Sequence, residues 1–246
     1  DLQMRPNQLY CFELISDSDF KQKVTRRVWE ELVYPWGVAS LAQWDPQFHP
    51  QHENWHYYHK DDAYHNGTIW LWNNGEAMQR MIEYGQKEEA WKLFKNMNRQ
   101  ALHEGAVGSL SENADAHPRE GQNWVNRSGT FLQAWSNAEH LRVWYQYFLG
   151  IRPDMLNGRI IIDPQLPAEV TSLETSVKIG GGTLHYKYSD GKVKINLEDI
   201  DAEVVIIDGP AEDIDPSIFE GVQFCQPDPL ESYPCFETYY ETALTY

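Results

Sequence analysis

Positive charge is scarce in this sequence. Lys and Arg number 20 against 37 Asp and Glu, a formal net charge of −17. Phosphate backbones and anionic bilayers attract proteins chiefly through Lys and Arg, so a chain this acidic suits neither. Cysteine is sparse too. Cys11, Cys225 and Cys235 give an odd count without metal-ligand spacing, which argues against a disulfide framework, although one Cys225–Cys235 bridge is allowed. Long apolar runs are missing: stretches such as Ile160 to Ile162 and Val204 to Ile207 fall far short of the ~20 residues that span a bilayer. There is no Walker phosphate loop and no Gly-x-Ser-x-Gly nucleophile elbow. The chain begins with Asp1 and carries no charged-then-apolar leader, as expected of a processed chain or a fragment. These absences leave neutral ligands, with no nucleic acid, membrane or cofactor, and a cytoplasmic location as the expectation.

What is abundant is aromatic. The chain holds 10 Trp and 14 Tyr within an otherwise ordinary globular composition of 41% apolar and 23% charged residues. Such rings bury large area while keeping a polar edge, and the apolar faces of sugars stack on them. Core packing is the competing explanation for any single ring.

The patterning changes along the chain. Residues 1–152 carry helix-period segments, 153–208 alternate Val and Ile with polar residues, and 209–246 form an acidic, Pro-rich strap or tail. Asp17 or Ser18 caps an expected helix to Leu32, with Phe20, Val24, Val28 and Leu32 at fourfold spacing. Two further helices, Thr68 to Tyr84 and Lys87 to His103, are expected to run antiparallel across the short Gly85 link. A fourth, Thr130 to Phe148, is apolar on nearly every side and so is expected to be buried. Strands are expected near Arg159 to Ile162, Thr171 to Ile179, Gly182 to Tyr188, Lys192 to Asn196 and Val204 to Ile207, making a small antiparallel β domain. The long loops Val38 to His65 and Gly105 to Gly129 are candidates for function.

Four segments could carry chemistry. Gly108-Ser-Leu-Ser-Glu112-Asn-Ala-Asp115 places carboxylates on a loop between core helices, ahead of Gln133-Ala-Trp135-Ser, an arrangement suited to a general base in an aromatic pocket. The bland alternative is an exposed acid, with Ser111 and Asn113 making turn hydrogen bonds. Tyr64-His65-Asn-Gly-Thr-Ile-Trp70-Leu-Trp crowds aromatic rings at a helix start, as a hydroxyl-rich ligand or a core would require. Arg5-Pro-Asn-Gln either binds hydroxyls or holds a loop. His49, His52, His56, His59 and His65 lie close together beside Asp61 and Asp62, and His52, His56 and His59 would share a helical face, although no established zinc spacing is matched.

Taken in order, Arg5-Pro-Asn-Gln, Tyr64-His-Asn-Gly-Thr-Ile-Trp-Leu-Trp, Gly108-Ser-Leu-Ser-Glu and Gln133-Ala-Trp-Ser-Asn-Ala-Glu resemble the C-terminal glucosidase domain of glycogen debranching enzymes. More distantly they are similar to glucoamylase and other six-hairpin glycosidases. The resemblance covers about residues 1 to 150. It implies a mainly α chain, the second half of an (α/α)6 six-hairpin barrel followed by the β domain. It also implies an inverting glycoside hydrolase that removes α-1,6-linked glucose from glycogen or related α-glucans. In the family the glutamate of the Ser-Glu loop is the general base, a role that falls here on Glu112, while Tyr64, His65, Trp70, Trp135 and, more weakly, Arg5 would line the sugar subsite. About four helices can be counted where a full barrel needs twelve, so the general acid is expected in an upstream half of the same protein. Asp61, Asp62 and Asp115 are stand-ins that no motif supports. Two rivals remain: a non-catalytic α-glucan-binding protein, and a metal-binding protein using the His49–His65 loop.

Overall fold

The computed structural model describes residues 2–207 and 214–227. After a 3-10 segment over Pro6–Leu14, the first helix, α1, spans Ser18–Leu32. The Asp17 carboxylate caps it by accepting from the Phe20 N–H at 3.0 Å. Its buried face is Gln22, Thr25, Val28, Trp29 and Leu32, whereas Phe20 is exposed. Strands β1 (Val33–Tyr34) and β2 (Gly37–Val38) then form a tight hairpin.

Irregular chain follows until α2 (Lys60–Tyr64). The next segment departs from expectation. Instead of entering a helix at Thr68, Ile69–Trp70 form β3, and the helix, α3, starts only at Asn73 and runs to Glu83. The reason is long-range pairing: Ile69 and Trp70 face Ala114 and Asn113 of β4 (Asn113–Ala114), which pairs in turn with β5 (Arg127–Ser128). Helix α4 spans Lys87–His103. Asn74 Nδ2, near the start of α3, lies 3.2 Å from Met97 Sδ in the second half of α4, so the two helices run antiparallel.

The last helix, α5, covers Ala134–Val143 and continues as a π-helical turn over Trp144–Phe148. It is not the buried rod its composition suggested. Phe131, Leu132, Trp135 and Leu141 are exposed, and the inward residues are Ser136, His140, Val143 and Phe148.

From residue 151 onward strands dominate. β8 (Ser172–Ile179), β9 (Gly182–Ser189) and β10 (Lys192–Glu198) form an antiparallel meander with β9 central. Leu184 and Tyr186 of β9 are buried, whereas β8 and β10 alternate between exposed and half-buried residues. β6 (Ile151–Asp154) and β7 (Arg159–Ile162) pair antiparallel, but β11 (Glu203–Ile206) joins β7 in parallel, so this part is not purely antiparallel. Phe219, in a 3-10 turn over Pro216–Phe219, packs on Trp29 and Tyr84. The rest of the expected strap, with Cys235, lies outside the described residues.

A mainly α half-barrel is therefore not what the chain forms. Among the described residues 36% are helical and 21% are strand, in four small sheets. Prolines 35, 46, 50 and 118 interrupt the segments that extra barrel helices would need, and the β3–β4–β5 pairing draws residues 69–70 out of the helix that follows. No helix among the described residues is long and apolar enough to cross a membrane.

Candidate active site

The small β3–β4–β5 sheet builds the site. Because Trp70 pairs with Asn113 and Asn113 with Ser128, the residues just beyond those pairs also meet. Leu71 N–H donates to the Glu112 carbonyl at 3.1 Å, and Glu112 N–H donates to the Thr130 carbonyl at 2.8 Å. The Glu112 carboxylate is fixed as firmly as its backbone. Oε1 accepts from the Tyr64 hydroxyl at 3.0 Å and Oε2 from the Thr130 N–H at 3.1 Å. An ionised carboxylate offers about four lone-pair positions, so Glu112, which is half-buried, retains acceptor capacity toward solvent.

Gly129 permits this arrangement. Its φ is +67°, and a Cβ there would come within 2.5 Å of Glu112 Oε2. Gly67 does the same for the Tyr64–Trp70 segment, since a Cβ would strike the His49 carbonyl oxygen.

Around Tyr64 the rings gather. Its centroid lies 4.5 Å from Trp70 and 4.9 Å from His65, and His65 stacks on Trp70 at 8° and 5.1 Å. Trp70 lies 6.2 Å from Trp135, and its indole N–H donates to the Tyr64 carbonyl at 2.6 Å. Burial, the hydrogen bond to Glu112 and its negative charge all push the Tyr64 hydroxyl up, so it stays a donor at neutral pH. On the other side His52 stacks on Tyr64 at 4.9 Å and contacts Ser128 Oγ through Nδ1 at 2.8 Å.

A cavity of about 710 Å³ opens against these rings. Arg5, His65, Trp70 and Trp135 line it; Glu112 and Tyr64 do not, and reach it only through the ring contacts to His65 and Trp70. Arg5 is committed to structure. Its five N–H donors go to Gln3 Oε1, twice, to the Ser40 and His65 carbonyls and to Asn66 Oδ1, so it holds the loop that carries His65.

Sequence reasoning missed the other wall. Tyr10, Trp72, Glu76, Glu139 and Arg142 also line the cavity. Glu76 is bridged by Arg80 at 2.6 Å and Arg142 at 3.5 Å, and Arg142 also pairs with Glu139 at 2.8 Å. Burial raises the Glu76 carboxyl and outweighs the pull of the two arginines. Glu139 closes the motif that begins at Gln133, and Trp72 closes the one that begins at Tyr64, so both were visible signals without an assigned role.

The remaining acids are placed elsewhere. Asp61 and Asp62 occupy the first turn of α2. Asp115 is fully buried, accepting from the His52 N–H at 2.9 Å and pairing with Arg119 at 3.3 Å, so it cannot meet a sugar. The histidine-rich loop is not helical over residues 49–59, and its rings disperse: His49 against Tyr58, His56 against Tyr57, His59 against Trp55. Among the described residues no three His, Cys, Asp or Glu side chains converge as a metal site needs.

The family model described as amylo-α-1,6-glucosidase matches residues 1–142, which include every motif named above. The chain belongs to the amylo-α-1,6-glucosidase family. It is thus related to glycoside hydrolases of glycogen debranching. No curated relative matches it.

Proposed function

We propose that this chain is the C-terminal part of an inverting glycoside hydrolase that removes α-1,6-linked glucose from branched α-glucan. Glu112 acts as general base. The observation that carries the reading is the anchoring of Glu112 by Tyr64 and the Thr130 N–H, one ring removed from the Trp70 wall of the aromatic cavity. A sugar stacked among Trp70, His65 and Trp135 would present its hydroxyls to Glu76 and Glu139. The anomeric carbon would project past the Trp70 edge of the cavity toward Glu112, which would take a proton from the attacking water, while a protonated carboxyl gives its proton to the departing glycosidic oxygen. Inversion requires the two carboxyls to stand roughly 6.5 to 9.5 Å apart. Glu76 and Glu139 are tied up in ion pairs with Arg80 and Arg142, whereas the general acid must be placed to hand its proton to the glycosidic oxygen, so we assign the acid to residues outside this chain.

The test is glucose release from a short α-1,6-branched maltooligosaccharide, with Glu112→Gln alongside and the anomer followed by NMR. Release of β-glucose that Glu112→Gln abolishes supports the base assignment. Release that survives the substitution overturns it. An inactive chain that becomes active when the upstream segment is added supports the divided site, whereas binding of the oligosaccharide without turnover under either condition favours a glucan-binding protein.

A further inference from the structure

A second cleft, of about 660 Å³, shares no lining residue with the Trp70 cavity. Its walls come from the loop around Glu53, the end of α4 at Arg99 and Glu104, and residues 119–131. Trp124 and Phe131 line it, about half exposed at 48% and 49%. Among the described residues neither ring stacks on another aromatic. Most other tryptophans here pack against rings, as Trp29, Trp36 and Trp91 do.

The floor is polar and rigid. Arg127 is 9% exposed; it donates to the Val125 carbonyl and pairs with Glu104, yet its buried Nε has no partner. Arg119 donates to the Glu53 carbonyl at 3.0 Å and pairs with Asp115. Arg99 pairs with Glu104 at 2.8 Å. Arg99 and Arg127 share the Glu104 carboxylate and Arg119 pairs with the Asp115 carboxylate behind the lining, so every guanidinium here already has an anionic partner, in a chain of net charge −17. Flat unpartnered rings beside ion-paired donors and acceptors match a neutral, polyhydroxylated ring.

We infer that this cleft is a second carbohydrate subsite, in which Trp124 and Phe131 stack a neutral sugar and Glu53, Arg119 and Asn123 hydrogen-bond its hydroxyls. It rests on the reading that the chain handles α-glucan, and adds a contact for a chain segment outside the Trp70 cavity. Phe131 adjoins Thr130, whose N–H holds Glu112, so the subsite flanks the proposed base.

The experiment follows the tryptophan indole N–H signals by NMR during titration with maltotriose, which is short enough to favour one site at a time. The Trp124 signal is assigned by its loss in Trp124→Phe. We expect it to shift in the wild-type chain and equally in Trp70→Ala, and Phe131→Ala to weaken the Trp124-reported affinity about tenfold, equivalent to about 1.4 kcal/mol. A Trp124 signal that stays still, or that stops responding in Trp70→Ala, overturns the subsite. So does a signal moved by inorganic phosphate and not by maltotriose. Immobile Trp70 and Trp135 signals beside a moving Trp124 would instead refute the cavity reading and leave the cleft standing.

Discussion

Gly129 and Glu112 are mutually dependent: a Cβ on Gly129 would stand 2.5 Å from Glu112 Oε2 and 3.0 Å from Glu112 Cβ. Gly129→Ala therefore carries two costs, the left-handed backbone at φ +67° and the displacement of the carboxylate. Gly108 separates them, because its φ is +87° while nothing lies within 4 Å of its Cβ position. We expect both alanine variants to lose about 1 to 3 kcal/mol of unfolding free energy from backbone strain, measured by urea denaturation. Only Gly129→Ala should also lose glucose release, assayed with the acid-bearing segment supplied. Equal activity in the two would show that Glu112 does not depend on its glycine neighbour.

Tyr64 has a narrower role. Its hydroxyl donates to Glu112 Oε1, while its ring belongs to the aromatic wall with Trp70 and His52. Tyr64→Phe keeps the ring and removes the donor. A hydrogen bond to a charged group contributes about 1.5 to 3 kcal/mol, so turnover measured with the acid-bearing segment supplied should fall by roughly 10- to 100-fold while oligosaccharide affinity changes little. An unchanged kcat would place Tyr64 in ring packing alone.

His140 makes the folded chain acid-sensitive. It stacks on Phe94 at 4.2 Å, and Nε2 lies 2.8 Å from Asn98 Oδ1, which can only accept, so Nε2 carries the proton. Nδ1 is buried without a partner, and burial lowers the imidazole pKa from 6.5 to about 4. The unfolded chain then binds the extra proton first. Stability from this residue is complete above pH 6.5 and drains away as pH falls toward 4, by about 3 kcal/mol. His140→Gln should flatten that part of the unfolding free energy against pH. An identical slope in the variant would mean that His140 is not the titrating group.

Local chemistry was readable in the sequence wherever local rules decide the outcome. The Asp17 cap, the bounds of α4 and the β8–β9–β10 meander follow from side-chain capping, fourfold apolar spacing and period-two alternation with Gly turns. Where distant partners decide, the local pattern misled. Ile69 and Trp70 have helix-compatible neighbours, yet they pair with residues more than forty positions away. In α5 the apolar side chains face outward because its inner face meets α3 so closely that a Cβ on Gly75 would strike Glu139. The candidate site divides in the same way. His65, Trp70 and Trp135 line one cavity, Tyr64 of the same motif reaches it only through its ring contacts to His65 and Trp70, and Tyr10 and Arg142 come to it through tertiary packing.

Asp115 titrates with the opposite sign to His140. Its side chain is fully buried, and burial raises its carboxyl pKa from 3.8 to about 6 against the pull of Arg119 and the His52 N–H. The folded chain holds this proton more tightly than the unfolded chain does. Its contribution is therefore complete below pH 3.8 and is lost as pH rises through about 6, an interval equivalent to about 3 kcal/mol. Asp115→Asn keeps an acceptor for the His52 N–H and cannot ionise. It leaves Arg119 without its partner, but that guanidinium is 31% exposed, so water takes the place of the lost pair and the resulting offset does not vary with pH. The stability of Asp115→Asn relative to wild type should then climb between pH 4 and pH 7, in the range where His140→Gln produces the opposite trend. Urea midpoints at pH 4, 5.5 and 7 for the three chains decide it, and a wild-type-to-Asn difference that is constant across them would place the Asp115 titration outside this window.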